Sequence, residues 1–180
     1  MLKYIIQTKE LFEVLDTLYR VLRIGISFYD YSFRELSFFD AKKQRPYCHL
    51  QRKSNSFLAK CKESDYELFK KARSSREIQV HQCHCKLLDG CVPLYDSNNE
   101  FLGIIIYGQV RPIDQPCPKN ISPKLQKLHM ELPQLSYEEM ENIGKLLKLV
   151  SKPIVRQQMV GFRKLGWSEK VQQYIDIHIH

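Results

Sequence analysis

The stretch that most limits what this chain can become runs from Gln79 to Val110. Leu87–Tyr95 and Phe101–Val110 are two strand-like apolar runs separated by Asp96-Ser97-Asn98-Asn99. Asp, Ser and Asn side chains bond to nearby backbone and so favour turns. A strand, a short turn and a second strand make an antiparallel pair. The same window holds Cys83, Cys85 and Cys91 with His81 and His84. Thiols and imidazoles are the side chains that bind metals and react with electrophiles. The window therefore predicts a rigid sheet with the chemistry of a site on or beside it.

Further strands are expected on either side. Ile78, Val80 and Gln82 alternate with Gln79, His81 and Cys83, as a strand requires. Pro93 cannot donate to a ladder and predicts an edge position or a bulge. Gly103 and Gly108 mark bulges or close backbone approach in the last strand. Ile24–Tyr31 and Glu35–Phe39 are aromatic and β-branched, and read as a hairpin.

Helices are expected around this sheet. From Tyr4 to Arg23, Leu11, Leu15, Leu18 and Leu22 recur at helical spacing, and Gly25 lies just beyond. Pro46 opens a helical region that reaches about Ser75, with a fresh start at the capping box Ser64–Glu67. Ser122-Pro123 opens a short helix through Met130, which Pro133 ends. Ser136 with Glu139 fits another capping box, and a long helix follows from Tyr137. Its seam of Met140, Ile143, Leu147, Val150 and Ile154 packs either on its own domain or on another chain. Pro153 should kink it. Gly161–Gly166 reads as a break, and Ser168 as the cap of a last helix, Glu169–His180. The expected class is α+β: an antiparallel sheet flanked by helices, with an N-terminal helix and a long C-terminal helix.

A chain of 180 residues suits one domain plus some extra helix, and needs no disulfide staples for its core. The longest apolar run, Phe101–Tyr107, is far too short to span a bilayer. The N-terminus turns polar quickly and carries no secretory pattern, so a cytoplasmic location is expected. Six cysteines in such a chain are not a disulfide framework. The net charge of +8 is spread in small clusters, such as Lys70, Lys71, Arg73 and Arg76. Such clusters are solvated helix faces, although the basic balance favours proximity to DNA or another polyanion.

Two readings of the cysteines stay open. Cys48, Cys61, Cys83 and Cys85 supply the donors that zinc or an iron–sulfur cluster takes. Alternatively they line a pocket or core and bind nothing. On a strand, Cys83 and Cys85 would share one face and His84 would take the other. His84 and Gln109 are candidates for hydrogen-bonding a polar ligand. Tyr47, Phe57 and Tyr107 would supply aromatic walls. There is no nucleophile elbow, phosphate-binding glycine loop or metalloprotease helix motif, so catalysis is not expected.

Several short pieces occur in a telling order: Pro46-Tyr47-Cys48, Cys61 with Asp65, Gln82-Cys83-His84, Pro93-Leu94, Leu102-Gly103 and Tyr107-Gly108-Gln109-Val110. In this order they resemble the PocR ligand-binding (sensory) domain over Ile5–Val110, with helices through Val160 as extensions. The resemblance implies a PAS-like fold, with helices on one side of an antiparallel sheet and a pocket between. It implies sensing of a small organic compound, with Tyr47, Cys48, Cys61, Cys83, His84, Tyr107 and Gln109 as ligand-binding residues. Such domains usually sit N-terminal to an output module, often an AraC-type helix-turn-helix pair. Lys170-Val171-Gln172-Gln173-Tyr174-Ile175-Asp176 is similar to the opening of that module's first helix. The implied organisation is a sensory domain over 1–132, a helical signalling and dimerisation linker over 133–167, and the start of a truncated DNA-binding domain over 168–180. The implied partners are a small organic ligand, a second copy of the chain and, through a downstream domain, DNA, with no membrane. One departure stands out. Cys85-Lys86-Leu87 follows Cys83-His84 where the family commonly has a small residue, Gly and Leu, and the extra cysteine favours a thiol-based site.

Overall fold

The structure, a computed structural model, describes residues 2–36, 45–113, 115–164 and 166. In chain order the elements are β1 (Leu2–Ile6), α1 (Thr8–Leu22), β2 (Gly25–Asp30), β3 (Glu35–Leu36), α2 (Pro46–Gln51), α3 (Asn55–Ser75), β4 (Gln79–Gln82) and β5 (Leu88–Tyr95). Then come β6 (Phe101–Pro112), α4 (Pro123–Met130), β7 (Gln134–Leu135), α5 (Tyr137–Arg156) and β8 (Val160–Lys164). The main sheet runs β3-β2-β6-β5-β4, antiparallel at each of these pairings, and β7 adds a short parallel pairing to β6. The class is α+β, a PAS-like antiparallel sheet flanked by helices.

β6 sits at the centre because it is the longest and most apolar strand, so it gains most from neighbours on both edges. The turn before it forms as its composition dictates: Asp96 Oδ1 accepts from the backbone N–H groups of Asn98 and Glu100. The β2–β3 turn repeats the device. Asp30 Oδ1 accepts from Ser32 N–H, Ser32 O–H and Arg34 N–H, and its other oxygen accepts from Arg34 Nε at 3.0 Å.

Alternation along the strands divides the core. Ile26, Phe28, Val92, Ile105 and Tyr107 pack with Leu11 and Leu15 of α1 and Met140, Leu147 and Ile154 of α5. Tyr29, Cys91, Ile104 and Ile106 pack with Leu68, Phe69 and Ala72 of α3. Helices therefore cover both faces, not one. The long-helix seam is settled as an internal one: Met140, Leu147 and Ile154 are buried in the chain's own core. Its capping box also forms, Ser136 Oγ accepting from Glu139 N–H while Glu139 Oε2 accepts from Ser136 N–H.

Three local expectations are corrected. Tyr4–Ile6 is not the start of the first helix but part of strand β1, because it pairs antiparallel with β8. For the same reason Val160–Lys164 is a strand and Gly161 is no break. Ser64 begins nothing: α3 runs unbroken from Asn55, and the helical region instead divides at Arg52–Ser54. Pro93 stands at a local edge as expected: β4 reaches only Cys91, so β5 has just β6 beside it there and no ladder donor is lost. The expected helix 169–180 and its cap lie outside the described residues.

Candidate functional site

The site begins with an irregularity in β6. Leu88 pairs with Val110 and Asp89 with Gly108, so Gln109 is the extra residue of a bulge. Gln109 takes φ 61°, in the left-handed region, next to Gly108 at φ 139°. Bulges re-aim side chains and recur beside functional sites. Here the Gln109 N–H leaves the ladder and donates to Asp89 Oδ1 at 2.8 Å. The Gln109 side-chain carbonyl oxygen is buried without a hydrogen-bond partner.

Gln109 is one of the residues lining a cavity of about 100 Å³ between the sheet and the α2–α3 layer. Ser27 and Tyr29 of β2, Asp89 of β5, Gln109 of β6, Arg52 at the end of α2 and Asp65 of α3 line it, with Glu35 at one side. Arg52 Nη2 pairs with Asp65 Oδ2 at 3.5 Å, while its Nε is buried without a partner. Burial pushes the Asp65 carboxyl up to about 7, and the nearby Asp89 charge pushes the same way, against the pull of Arg52. Burial likewise raises Asp89 to about 6, opposed by the Gln109 N–H and by Arg52. Two carboxyls raised toward neutrality and a guanidinium make a polar pocket lined with groups for hydrogen bonding and charge.

The thiols gather beside this pocket. Cys83 to Lys86 form the tight turn between β4 and β5, closed by Lys86 N–H donating to Cys83 O at 2.7 Å, with Lys86 at φ 61°. The expected strand geometry at Cys83–Cys85 is therefore corrected. The turn brings His84 onto the same side as the cysteines, with its ring 3.2 Å from Cys61 Sγ and 3.6 Å from Cys85 Sγ. Cys48, Cys83 and Cys85 each pack against the buried cluster of Tyr47, Leu87 and Leu132, and Cys48 stands within electrostatic reach of Cys61 and Cys85. The cluster joins the cavity through two contacts, Cys61 with the Arg52 guanidinium and Cys83 with Asp89. Hydrogen bonding between Cys83 and Cys85 raises Cys83 and lowers Cys85, and burial raises Cys48 and Cys61. Burial, reinforced by Lys60 and Arg52, lowers His84.

Of the residues singled out by the sequence, Gln109 and Tyr107 border the cavity. Tyr107 directs its hydroxyl away, donating to Met140 O of α5 at 2.9 Å. Cys48, Cys61, Cys83 and His84 form the adjoining cluster, and Tyr47 lies behind it against His129, ring centroids 5.2 Å apart. Phe57 stacks edge-on against His84 at 4.5 Å. Sequence reasoning passed over Arg52, Asp89 and the site role of Asp65. Asp89 left a readable signal, a charged residue inside the apolar run Leu87–Leu94. A larger groove of about 670 Å³ lies between β5, β8 and α5, but no buried unpartnered polar atom among the described residues faces it.

No helix of the described residues is long and apolar enough to cross a membrane. No curated protein and no solved structure matches the chain. The model of one family, the sensory domain found in PocR, matches residues 4–159. That span runs from β1 through α5 and includes the bulge, the cavity and the thiol cluster. The match covers most of the sequence, and the chain belongs to the family of the sensory domain found in PocR.

Proposed function

We propose that this chain senses a small polar organic molecule held in the Arg52–Asp65–Asp89–Gln109 cavity, and passes occupancy to α5. One observation carries the reading. Gln109, one of the residues lining the cavity, keeps a left-handed backbone, and its side-chain carbonyl oxygen is buried without a partner. Both cost stability, and a ligand donor that reaches the Gln109 side chain would satisfy its carbonyl oxygen. The cavity is smaller than the ~150 Å³ apolar void that admits benzene, so the ligand has few heavy atoms. The role is binding, not catalysis. Cys61 and His84 touch as a nucleophile and base would, but burial disfavours the Cys61 thiolate.

Gln109→Gly separates function from folding. Glycine relieves a left-handed strain of ~1–2 kcal/mol while adding unfolded-chain entropy worth ~0.5–1 kcal/mol, so stability should hold or rise slightly. Native mass spectrometry of the freshly purified chain should show a retained organic mass that this variant loses. A wild type that carries no such mass, and whose melting is unmoved by a panel of small alcohols, amines and carboxylates, would sink the reading.

Transmission runs through Tyr107. Its backbone borders the cavity and its hydroxyl grips α5, where Gly144 leaves room for the ring: a Cβ there would lie 2.5 Å from the Tyr107 hydroxyl. A ligand moves α5 only by binding its two arrangements unequally. In this reading α5 speaks to a second copy of the chain and to an AraC-type DNA-binding module in the cytoplasm. The segment Lys170–Asp176 that suggests this module lies outside the described residues.

The dimer contact we favour is the outer face of α5, where Leu146 is 43 % and Leu149 60 % exposed at mid-helix. Glu138 and Glu141 precede them, and Lys145, Lys152 and Arg156 surround or follow them. An antiparallel pair about these leucines would set the acidic half against the partner's basic half. Leu149→Glu should then give a monomer by sedimentation with unchanged melting. A wild-type monomer at assay concentrations would dismiss this contact.

A further inference from the structure

We propose that Cys48, Cys61, Cys83 and Cys85 form a mononuclear zinc site on the wall of the cavity. The site goes beyond the organic-ligand reading and does not depend on it. Three separate stretches of chain deliver the thiols: Cys48 from α2, Cys61 from α3, and Cys83 and Cys85 from the β4–β5 turn. Core cysteines in this protein look different. Cys91 is fully buried among Leu68, Phe69 and Ile104, whereas these four are only partly buried, and Cys61, Cys83 and Cys85 contact polar groups. Cys61 and Cys85 face one imidazole, with His84 Nε2 3.2 Å from the first sulfur and 3.6 Å from the second.

Charges of both signs surround the cluster. Four thiolates on Zn²⁺ leave a net charge of about −2. Arg52 and Lys60 both act on Cys85, and Arg52 also reaches Cys48 and Cys61, while Asp89 acts in the opposite sense on Cys48, Cys83 and Cys85 and Asp65 on Cys61. The two cations offset part of the site's excess negative charge. His84 then becomes a supporting residue, its ring N–H donating to a bound sulfur as outer partners of metal ligands do.

Binding needs a small rearrangement. Among the described residues no three ligating side chains meet at one point. Cys83 and Cys85 are hydrogen-bonded to each other, and Cys61 to His84. Closure asks the sulfurs to turn inward to ~2.3 Å from the ion. Four protons leave as the ion enters, so affinity should rise with pH.

The test uses the 180-residue chain, reduced and stripped of metal, with Co²⁺ as the spectroscopic probe and Zn²⁺ as competitor. Expected are saturation at one equivalent, the intense visible bands of tetrahedral cobalt thiolate, and displacement by one equivalent of zinc. Cys61→Ser and Cys85→Ser should each weaken zinc by at least ~100-fold, and His84→Ala by ~10-fold. Cys117→Ser is the control, since that thiol contacts only Pro118 O and Gln126 O in the described hydrogen bonds. Far-UV circular dichroism separates lost binding from lost folding. If the serine variants misfold, the wild type still decides, because its melting point should rise with zinc. A folded wild type that binds no metal overturns the proposal. So does an iron–sulfur spectrum in protein purified without oxygen, a Cys83–Cys85 disulfide that persists under reductant, or a Cys117→Ser loss equal to that of Cys61→Ser.

Discussion

Asp89→Asn is expected to stabilise the unliganded protein at pH 8 and to leave it nearly unchanged at pH 4. Burial raises Asp89 from 3.8 to about 6 and Asp65 from 3.8 to about 7. A carboxyl raised in the fold binds more protons there than in the unfolded chain. Stability therefore falls as pH rises, starting near the unfolded value and ending above the folded one. The window here is about pH 4 to 7. Each tenfold change in proton affinity is worth ~1.4 kcal/mol, so the two groups together make the loss on the order of several kcal/mol. The asparagine keeps an oxygen for the Gln109 N–H and removes one buried charge. It also lifts the Asp89 contribution from Asp65, whose carboxyl should then titrate lower. A gain of a few kcal/mol corresponds to roughly 5–10 °C at this chain length.

Other groups titrate nearby, and the comparison must separate them. Burial lowers His81, His84 and His129, which makes stability rise as pH climbs toward 6.5. Asp30 is lowered: burial pushes it upward, but the Ser32 and Arg34 hydrogen bonds win. Its contribution is lost only as pH falls below about 4. The difference between Asp89→Asn and wild type cancels these, so urea unfolding of both proteins from pH 4 to 8.5 is the measurement. A difference that is flat across the window would mean that Asp89 ionises freely and that water fills the cavity. A difference that grows with pH would show that the buried carboxylate costs the fold stability near neutral pH.

The parts of this architecture that follow local rules were legible in the residues. Asp96 makes its turn with its own backbone, and Ser136 and Glu139 cap α5 reciprocally, so each could be read within four residues. What was not legible depends on distant partners. Ile5 and Ile6 fit the apolar stripe of α1, and only the pairing of Ile6 with Val160 makes them strand. The seam of α5 was correct in spacing, but spacing could not say whether the sheet or another chain would cover it. The thiol turn was missed for a subtler reason. Its left-handed position is held by Lys86, where glycine would have announced it. Arg52 and Asp65 meet only because two helices bring them together, and no periodicity marks residues 13 apart as partners.

Gly108→Ala is expected to cost about 3 kcal/mol or more, the largest loss expected of any single methyl group added at this site. The residue sits at φ 139°, where side chains are rarely accommodated. A Cβ would lie 2.6 Å from Leu88 O, 2.8 Å from Asp89 Cα and 2.8 Å from Asp89 Oδ1. Two of these three are backbone atoms in the middle of the sheet and cannot swing aside. Strain of ~1–3 kcal/mol from the backbone adds to the clash. The only relief is to separate β5 from β6 at the bulge, which would also break the Gln109 N–H bond to Asp89. Gly161→Ala supplies the comparison, because a Cβ there meets nothing within 4 Å. It should stay within ~0.5 kcal/mol of wild type. Chemical denaturation of both variants decides the matter. If Gly108→Ala were as mild as Gly161→Ala, the strands would not approach so closely at the bulge. Gln109 would then have no fixed aim, and the cavity would lose the feature that most marks it as a binding site.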